Sequence, residues 1–200
     1  GTMKKTLLML LLLAQAGLAA TAFAVQMFDF DAQALMPAGV GGSATMYGKI
    51  VNGLAVPTPI PLDFANYGYT VVVTGLVQTS AGATSLFTGG AITIYQDAAT
   101  AADWANPATF TDGTAILSGS LVDFQRTMLT STLGSGVGTV DWTGGTRLNE
   151  LALADQTGWA FLTAVSRAVS QVQPGYSERW DGKVEPVGDV VSTETASWSE

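Results

Sequence analysis

Tyr69-Thr70-Val71-Val72-Val73-Thr74-Gly75-Leu76-Val77 carries the clearest structural signal in this chain. Alternate positions of a β-strand point to opposite faces, so Tyr69, Val71 and Val73 share one apolar face, which Gly75 and Val77 continue. β-Branched side chains favour strands because they pack well on a pleated surface. The segment therefore predicts a strand whose Tyr69 side is buried.

Composition extends this prediction to the rest of the chain. Charged residues make up only 12%, whereas glycine occurs 23 times, which is typical of short strands joined by tight turns. Pairs of residues that favour turns lie between many of the apolar stretches: Gly41-Gly42, Asn52-Gly53, Gly89-Gly90, Asp112-Gly113, Gly144-Gly145, Pro174-Gly175 and Asp181-Gly182. Nine strands are predicted, at residues 27–34, 43–51, 69–78, 91–96, 115–128, 137–142, 148–153, 158–165 and 176–184.

Strands at this spacing predict an all-β fold, an antiparallel β-sandwich of jelly-roll or Greek-key type with about 8–10 strands. One short helical turn is expected near residues 100–105, because Thr100 can cap a helix and Asn106-Pro107 ends it. The segment Gly158–Val172 fits two structures, since its apolar residues also recur at helical spacing. Its front half is assigned to a strand.

The beginning of the chain has the three parts of a secretory signal peptide. A positive start at Met3-Lys4-Lys5 precedes the apolar run Leu7–Leu13, and Ala22-Phe23-Ala24 matches a small-x-small cleavage site. An uncleaved anchor is the alternative, but the leucine run is short for a bilayer span of about 20 residues. We predict a signal peptide at 1–24, including two residues ahead of Met3, a single domain at 25–186, and an acidic, disordered tail at 187–200.

Charge and missing residue types exclude several functions. Cleavage after Ala24 would leave 6 basic against 16 acidic residues, a net charge of −10 that disfavours nucleic acid as a partner. With no cysteine and no histidine, the chain lacks disulfides, imidazole or thiolate metal sites, and histidine-dependent catalysis. No later segment is apolar enough for a membrane span after cleavage. Carboxylates, hydroxyls and a few cationic side chains remain for chemistry.

Three aspartates form a candidate calcium site. Asp97, Asp103 and Asp112 fall within a predicted long loop, and calcium favours carboxylate and carbonyl oxygens. They lack the register of a known calcium loop, and the alternative places Asp97 and Asp112 in turns and Asp103 at the start of a helical turn. No cofactor is predicted, and calcium at these three aspartates is the alternative.

Aromatic residues near loops are candidates for ligand binding. Trp104 and Trp180 are expected in or beside loops, where an indole can stack on a sugar ring, although core packing is the commoner use of tryptophan. Asp29 and Asp31 are expected on the solvent-exposed face of a strand whose other face carries Phe28 and Phe30. Paired carboxylates can catalyse glycoside hydrolysis, but two neighbours on one exposed face rarely differ enough in pKa.

Several phrases of the sequence resemble a known group of proteins: Gly89-Gly90-Ala91-Ile92-Thr93-Ile94-Tyr95, Phe110-Thr111-Asp112-Gly113-Thr114-Ala115-Ile116-Leu117-Ser118-Gly119, Gly138-Thr139-Val140-Asp141-Trp142-Thr143-Gly144-Gly145, Gly158-Trp159, Pro174-Gly175-Tyr176 and Trp180-Asp181-Gly182. The group comprises uncharacterised, secreted all-β proteins of Gram-negative bacteria, many of which end in the PEP-CTERM sorting signal. The resemblance implies an envelope or extracellular setting and no known activity. Here Val184-Glu185-Pro186 is followed by a polar, acidic stretch instead of that signal's apolar helix and basic tip.

These observations predict an exported structural or binding module of the bacterial cell surface or extracellular matrix, located outside the cell or in the periplasm. Carbohydrate and other surface proteins are the candidate partners. Two alternatives stay open. One is a secreted, carboxylate-dependent enzyme acting on glycans, for which the sequence identifies no catalytic residue. The other is a small outer-membrane β-barrel, which nine strands would be enough to build.

Overall fold

A computed structural model of the chain describes residues 26–51, 57–98 and 101–187. This part of the chain contains the strands β1 (Phe28–Leu35), β2 (Ser43–Ile50), β3 (Gly68–Ser80), β4 (Thr84–Thr88), β5 (Gly90–Asp97), β6 (Thr114–Met128), β7 (Leu133–Gly144), β8 (Trp159–Ser166) and β9 (Glu178–Glu185). Its helical content is three short 3-10 turns, at Pro107–Phe110, Leu148–Glu150 and Leu153–Asp155. The all-β prediction is confirmed.

The strands close into a barrel, so the prediction of a β-sandwich was wrong. Apart from β4 and β5, consecutive strands of the chain pair antiparallel, and β9 returns to pair with β1, from Phe28 opposite Val184 to Ala34 opposite Glu178. Eight strands complete the circuit, and β4 is an additional one. Closure satisfies the backbone groups that the outer strands of an open sheet would leave unpaired.

The additional strand lies end to end with β5. β4 pairs with the last residues of β3 and β6, whereas β5 pairs with their first halves. Gly89, between the two strands, has a φ of 77°, and Gly75 on β3 and Asp123 on β6 also have positive φ, of 71° and 53°. Gly89-Gly90 was predicted to be a hairpin turn, but it separates β4 from β5, which follow each other in the same direction between β3 and β6. Strand β4 was not predicted.

The barrel interior is filled by large apolar side chains. Phe30, Phe124, Phe161 and Trp180 pack together at ring-centroid distances of 5.0 to 6.3 Å, and a second group contains Phe28, Trp142 and Trp159. All of these rings are at most 1% exposed. The predicted burial of Phe28 and Phe30, with Asp29 and Asp31 on the outer face, is confirmed. The Tyr69 face of β3 is buried as predicted up to Val73, but beyond Gly75 burial passes to Leu76 and Gln78.

Two long loops cover part of the outer wall. The loop between β5 and β6 and the loop between β8 and β9 come from opposite ends of the barrel and meet where the Tyr176 hydroxyl donates to the Trp104 carbonyl at 3.0 Å. The Trp104 indole in turn donates to the carbonyl of Tyr47, on β2. A third connection, at residues 57–67, packs the fully buried Ile60 against the core at the end where β1 begins.

Local structure departs from the sequence predictions at three further points. The segment 148–153 forms 3-10 turns instead of a strand, and the short helical element expected near 100–105 lies later, at Pro107–Phe110. Asp181-Gly182 is inside β9 and is not a turn. The front half of Gly158–Val172 is strand β8, as assigned.

Other predictions concern parts of the chain that the structure does not describe. The signal peptide at 1–24 and residues 188–200 of the predicted tail lie outside the described residues. Within the described ranges, no helix has both the length and the apolar character needed to cross a bilayer.

Candidate functional site

A depression of about 460 Å³ lies on the outer face of strands β7, β8, β9 and β1. We call it the outer depression. Its lining residues come from four neighbouring strands and the residue before β1: Met27, Asp29, Ser135, Gly136, Val137, Leu162, Thr163, Ala164, Asp181, Gly182 and Lys183. Small-molecule sites in proteins typically enclose about 300–1,000 Å³. The outer depression is large enough to hold a ligand of that class.

Two glycines explain why the wall is concave here. Gly136, Thr163 and Gly182 are opposite one another across β7, β8 and β9, and Gly182 is opposite Phe30 on β1. A Cβ on Gly136 would meet the Phe124 ring at 2.8 Å, and a Cβ on Gly182 would meet the Leu162 carbonyl and the Phe30 ring. Because these inward positions carry no side chain, the wall approaches the core closely. The neighbouring outward residues then line a hollow.

The base of the outer depression is apolar and its rim is charged. Val137 and Leu162 are directly opposite each other on β7 and β8, with Ala164 and Met27 nearby, and Val137 is 46% exposed. Asp29, Asp181 and Lys183 supply the charges, and Ser135 adds a hydroxyl. An apolar surface with a few polar groups around it is the common composition of ligand sites.

Ion pairs join the charged residues along β1 and β9. Arg179 contacts Asp31 at 2.8 Å and Asp181 at 2.9 Å, and Lys183 contacts Glu185 at 2.7 Å. Arg179 and Lys183 are therefore both paired with acidic side chains. The pairs are partly exposed, so each contributes at most about 1 kcal/mol to stability.

The Asp29 carboxyl in the outer depression has a shifted pKa. Partial burial raises the pKa of the Asp29 carboxyl above its ordinary value, and the nearby charge of Asp181 raises it further. The backbone N–H of Phe30 and the charge of Lys183 oppose these effects. Asp29 is therefore a partly desolvated carboxylate with a second acidic side chain nearby.

The three predicted calcium ligands lie at the end of β5 and in the loop between β5 and β6. Asp97 ends β5 opposite Gly68, and Asp112 is exposed in the turn before β6. Asp103 accepts a hydrogen bond from the Ala105 N–H at 2.9 Å, as a turn residue does. Among the described residues, no group of three or more acidic side chains is arranged to hold a metal ion. The structure thus does not gather Asp97, Asp103 and Asp112 into such a group.

The two tryptophans predicted to bind ligand have different positions. Trp180 is on β9, fully buried, and its indole donates to Glu178 at 3.0 Å, so it is a core residue that a surface ligand does not reach. Trp104 is partly exposed in the β5–β6 loop. The Lys49 ammonium lies 4.3 Å from its ring centroid, and Phe110 packs beside it. Neither tryptophan lines the outer depression.

A buried polar cluster lies inside the barrel, at the end where β1 finishes. Glu178 is fully buried and contacts both Arg126, at 2.5 Å, and Arg167, at 2.8 Å. Ser85 accepts a hydrogen bond from Arg126 at 3.4 Å, and the Arg126 Nε has no hydrogen-bond partner among the described residues. Desolvation by burial lowers the pKa of Arg126, and the Arg167 charge adds to this effect. The cluster links non-neighbouring strands and is structural in character.

Comparison with protein-family models, with curated proteins and with solved structures finds no match for this chain.

The sequence predicted Asp29 on a solvent-exposed strand face but did not identify Asp181 and Lys183 as its neighbours. The sequence held part of this information, because Asp181 and Lys183 are two residues apart, as Asp29 and Asp31 are, and therefore lie on one face of their strand. It becomes meaningful only when β1 and β9 are known to pair.

Proposed function

We propose that this chain is a small β-barrel binding module of an exported bacterial protein, and that the outer depression is its ligand site. The observation that carries the proposal is the concave, apolar base bordered by Asp29, Asp181 and Lys183 on a closed barrel. Carbohydrate is the proposed ligand class, because sugars combine apolar C–H faces with groups that hydrogen-bond to carboxylates. The leader sequence and the resemblance to secreted all-β proteins support the extracellular or periplasmic setting.

The distribution of side chains favours a barrel surrounded by water over one surrounded by lipid. Outer-membrane barrels present an apolar band to lipid and have a polar interior. Here the interior holds aromatic rings, and the outer face of β1 and β9 carries Asp29, Asp31, Arg179 and Asp181. The barrel shape agrees with the outer-membrane alternative, whereas this polarity supports the binding module.

A second candidate is hydrolysis of glycans in the same depression. Glycosidases need two carboxyl groups in different environments, one of them with a raised pKa. Asp29 has the raised pKa, and Asp181 is held by Arg179 at 2.9 Å. Release of reducing ends from oligosaccharides, lost in Asp29→Asn, would favour this function. Binding without product release would favour the module.

Binding is tested by screening the purified chain against a panel of extracellular polysaccharides and oligosaccharides, followed by titration of each hit. We expect Leu162→Ala, at the base of the depression, to weaken binding about tenfold. Leu86→Ala is the matched control, because Leu86 is an outward leucine, 39% exposed, on β4. Equal affinity of the two variants for every hit would exclude the outer depression as the site.

A further inference from the structure

We propose that the outer depression recognises a protonated amine on a sugar, which makes an amino-sugar glycan its ligand. This inference rests on the proposed function and specifies its substrate class. The charges around the depression, its apolar base and the pairing of its strands support this ligand class.

Among the charged side chains of these strands, Asp29, Asp181 and Lys183 line the depression. Asp31, Arg179 and Glu185 lie beside them on the outer face of β1 and β9 and take part in ion pairs there. Together this surface carries four carboxylates and two cations. Arg179 lies between Asp31 and Asp181, and Lys183 pairs with Glu185. No cationic side chain in the described ranges contacts Asp29 within ion-pair distance, and an ammonium placed beside it would be held by the charge of Asp181 as well.

The pairing of the strands favours a sugar over an extended peptide. Peptides that bind to sheets add a strand to an open edge through main-chain hydrogen bonds. In the outer depression, Val137 is paired with Leu162, Leu162 with Lys183, and Lys183 with Asp29. The main chain is therefore occupied by the barrel, and recognition falls to side chains such as Ser135, Asp29 and Asp181. Amines and hydroxyls suit these groups.

The base of the depression provides the second part of the recognition. The C–H face of a pyranose ring can pack on Val137, Leu162 and Ala164, while substituents at the ring edge reach the rim. An amine held at Asp29 would then be fixed by contacts on two sides. This arrangement predicts selectivity for the charged sugar over a neutral sugar of the same shape.

The test is calorimetric titration of the full chain at neutral pH with four probes. They are the β-1,4-linked tetramer of glucosamine, its N-acetylated form, cellotetraose and tetralysine. We expect the glucosamine tetramer to bind about tenfold more tightly than either neutral sugar, and its affinity to fall as salt is added. Asp29→Asn should remove this preference, and Asp112→Asn, which changes an exposed aspartate away from the depression, should retain it.

The other outcomes separate this inference from the proposed function. Equal binding of the three sugars, weakened by Leu162→Ala, would overturn the amine inference and support the outer depression as a sugar site. Tighter binding of tetralysine than of the glucosamine tetramer would overturn the assignment to a sugar. If none of the probes binds, the amine inference fails, while the polysaccharide panel with Leu162→Ala and Leu86→Ala still decides the proposed function.

Discussion

Arg126 and Glu178 form an ion pair across the inside of the barrel, with Arg126 Nη1 and Glu178 Oε1 2.5 Å apart. Their strands, β6 and β9, are separated in the sheet by β7 and β8, so the pair crosses the interior instead of following one strand pairing. The two side chains are 8% and 0% exposed. Glu178 also accepts from the Trp180 indole and from Arg167, which connects the β8–β9 loop to the core.

Removing the charge of Glu178 should destabilise the barrel strongly. Glu178→Gln leaves Arg126 buried without its counter-ion, and breaking a buried pair in this way costs about 3–5 kcal/mol. The measurement is the free energy of unfolding in urea. Glu150→Gln is the control, because the Arg147–Glu150 pair is partly exposed and should cost less than about 1 kcal/mol. Similar losses in both variants would contradict the argument.

The break between β4 and β5 should depend on glycine at position 89. Its φ of 77° is costly for a residue with a Cβ, although an added Cβ would find only the Gly75 carbonyl oxygen nearby, at 3.8 Å. We expect Gly89→Ala to lower the free energy of unfolding by about 1–2 kcal/mol from backbone strain. Gly39→Ala, with ordinary φ and open space around it, should change stability by less than about 0.5 kcal/mol. An unchanged free energy of unfolding in Gly89→Ala would show that the backbone at position 89 tolerates other conformations.

The concavity of the outer depression should depend on Gly182. An alanine there would meet the Leu162 carbonyl oxygen and the Phe30 ring, so the wall must move outward. We expect Gly182→Ala to cost about 1–3 kcal/mol, as overpacking typically does, and to weaken ligand binding. Thermal unfolding and the sugar titration measure the two effects. Gly68→Ala, a strand glycine with more space, is the comparison, and equal stability of the two variants would argue against a closely packed wall.

Asp29 should make the folded state more stable as the pH falls. Burial, followed by the charge of Asp181, raises the pKa of Asp29 in the folded chain above its ordinary value of 3.8. Between 3.8 and the raised pKa, the folded state binds more protons than the unfolded state, so acidification favours folding there. At higher pH the folded state bears the cost of a charged Asp29. Asp29→Asn should therefore increase stability at neutral pH.

Carboxyl-carbon NMR titration of Asp29 checks this directly. We expect Asp29 to titrate above 3.8, and Asp181→Asn to move its pKa downward because the nearby negative charge that raises it is removed. Asp112→Asn should leave the titration unchanged. A midpoint at or below 3.8 in the unmodified chain would show that the carboxyl is better solvated than the structure indicates.

Much of the local structure was predictable because strand periodicity is a property of neighbouring residues. Phe28 and Phe30 point inward and Asp29 and Asp31 outward, as alternation requires. The prediction for β3 became incorrect where Gly75 adopts a positive φ and changes the face on which the following residues lie. Sequence alone does not distinguish a glycine that bends a strand from one that ends it.

The candidate site was less predictable, because it joins residues that are distant in the chain. Trp180 was expected near a loop because Asp181-Gly182 has the composition of a turn. In the barrel, Gly182 lies inside β9, where the inward position is occupied by the Phe30 ring from the neighbouring strand. The same misassignment hid Asp181 and Lys183 as neighbours of Asp29.

The sequence by itself determined that this chain forms strands, which side chains of several strands are buried, and that histidine and cysteine chemistry is excluded. Only the tertiary structure decided that the strands close into a barrel and that Asp29 lies beside Asp181. The reason is physical. Alternation along a strand specifies an inner and an outer face equally well for a sandwich and for a barrel, whereas closure depends on β1 and β9 pairing after the chain has completed a full circuit.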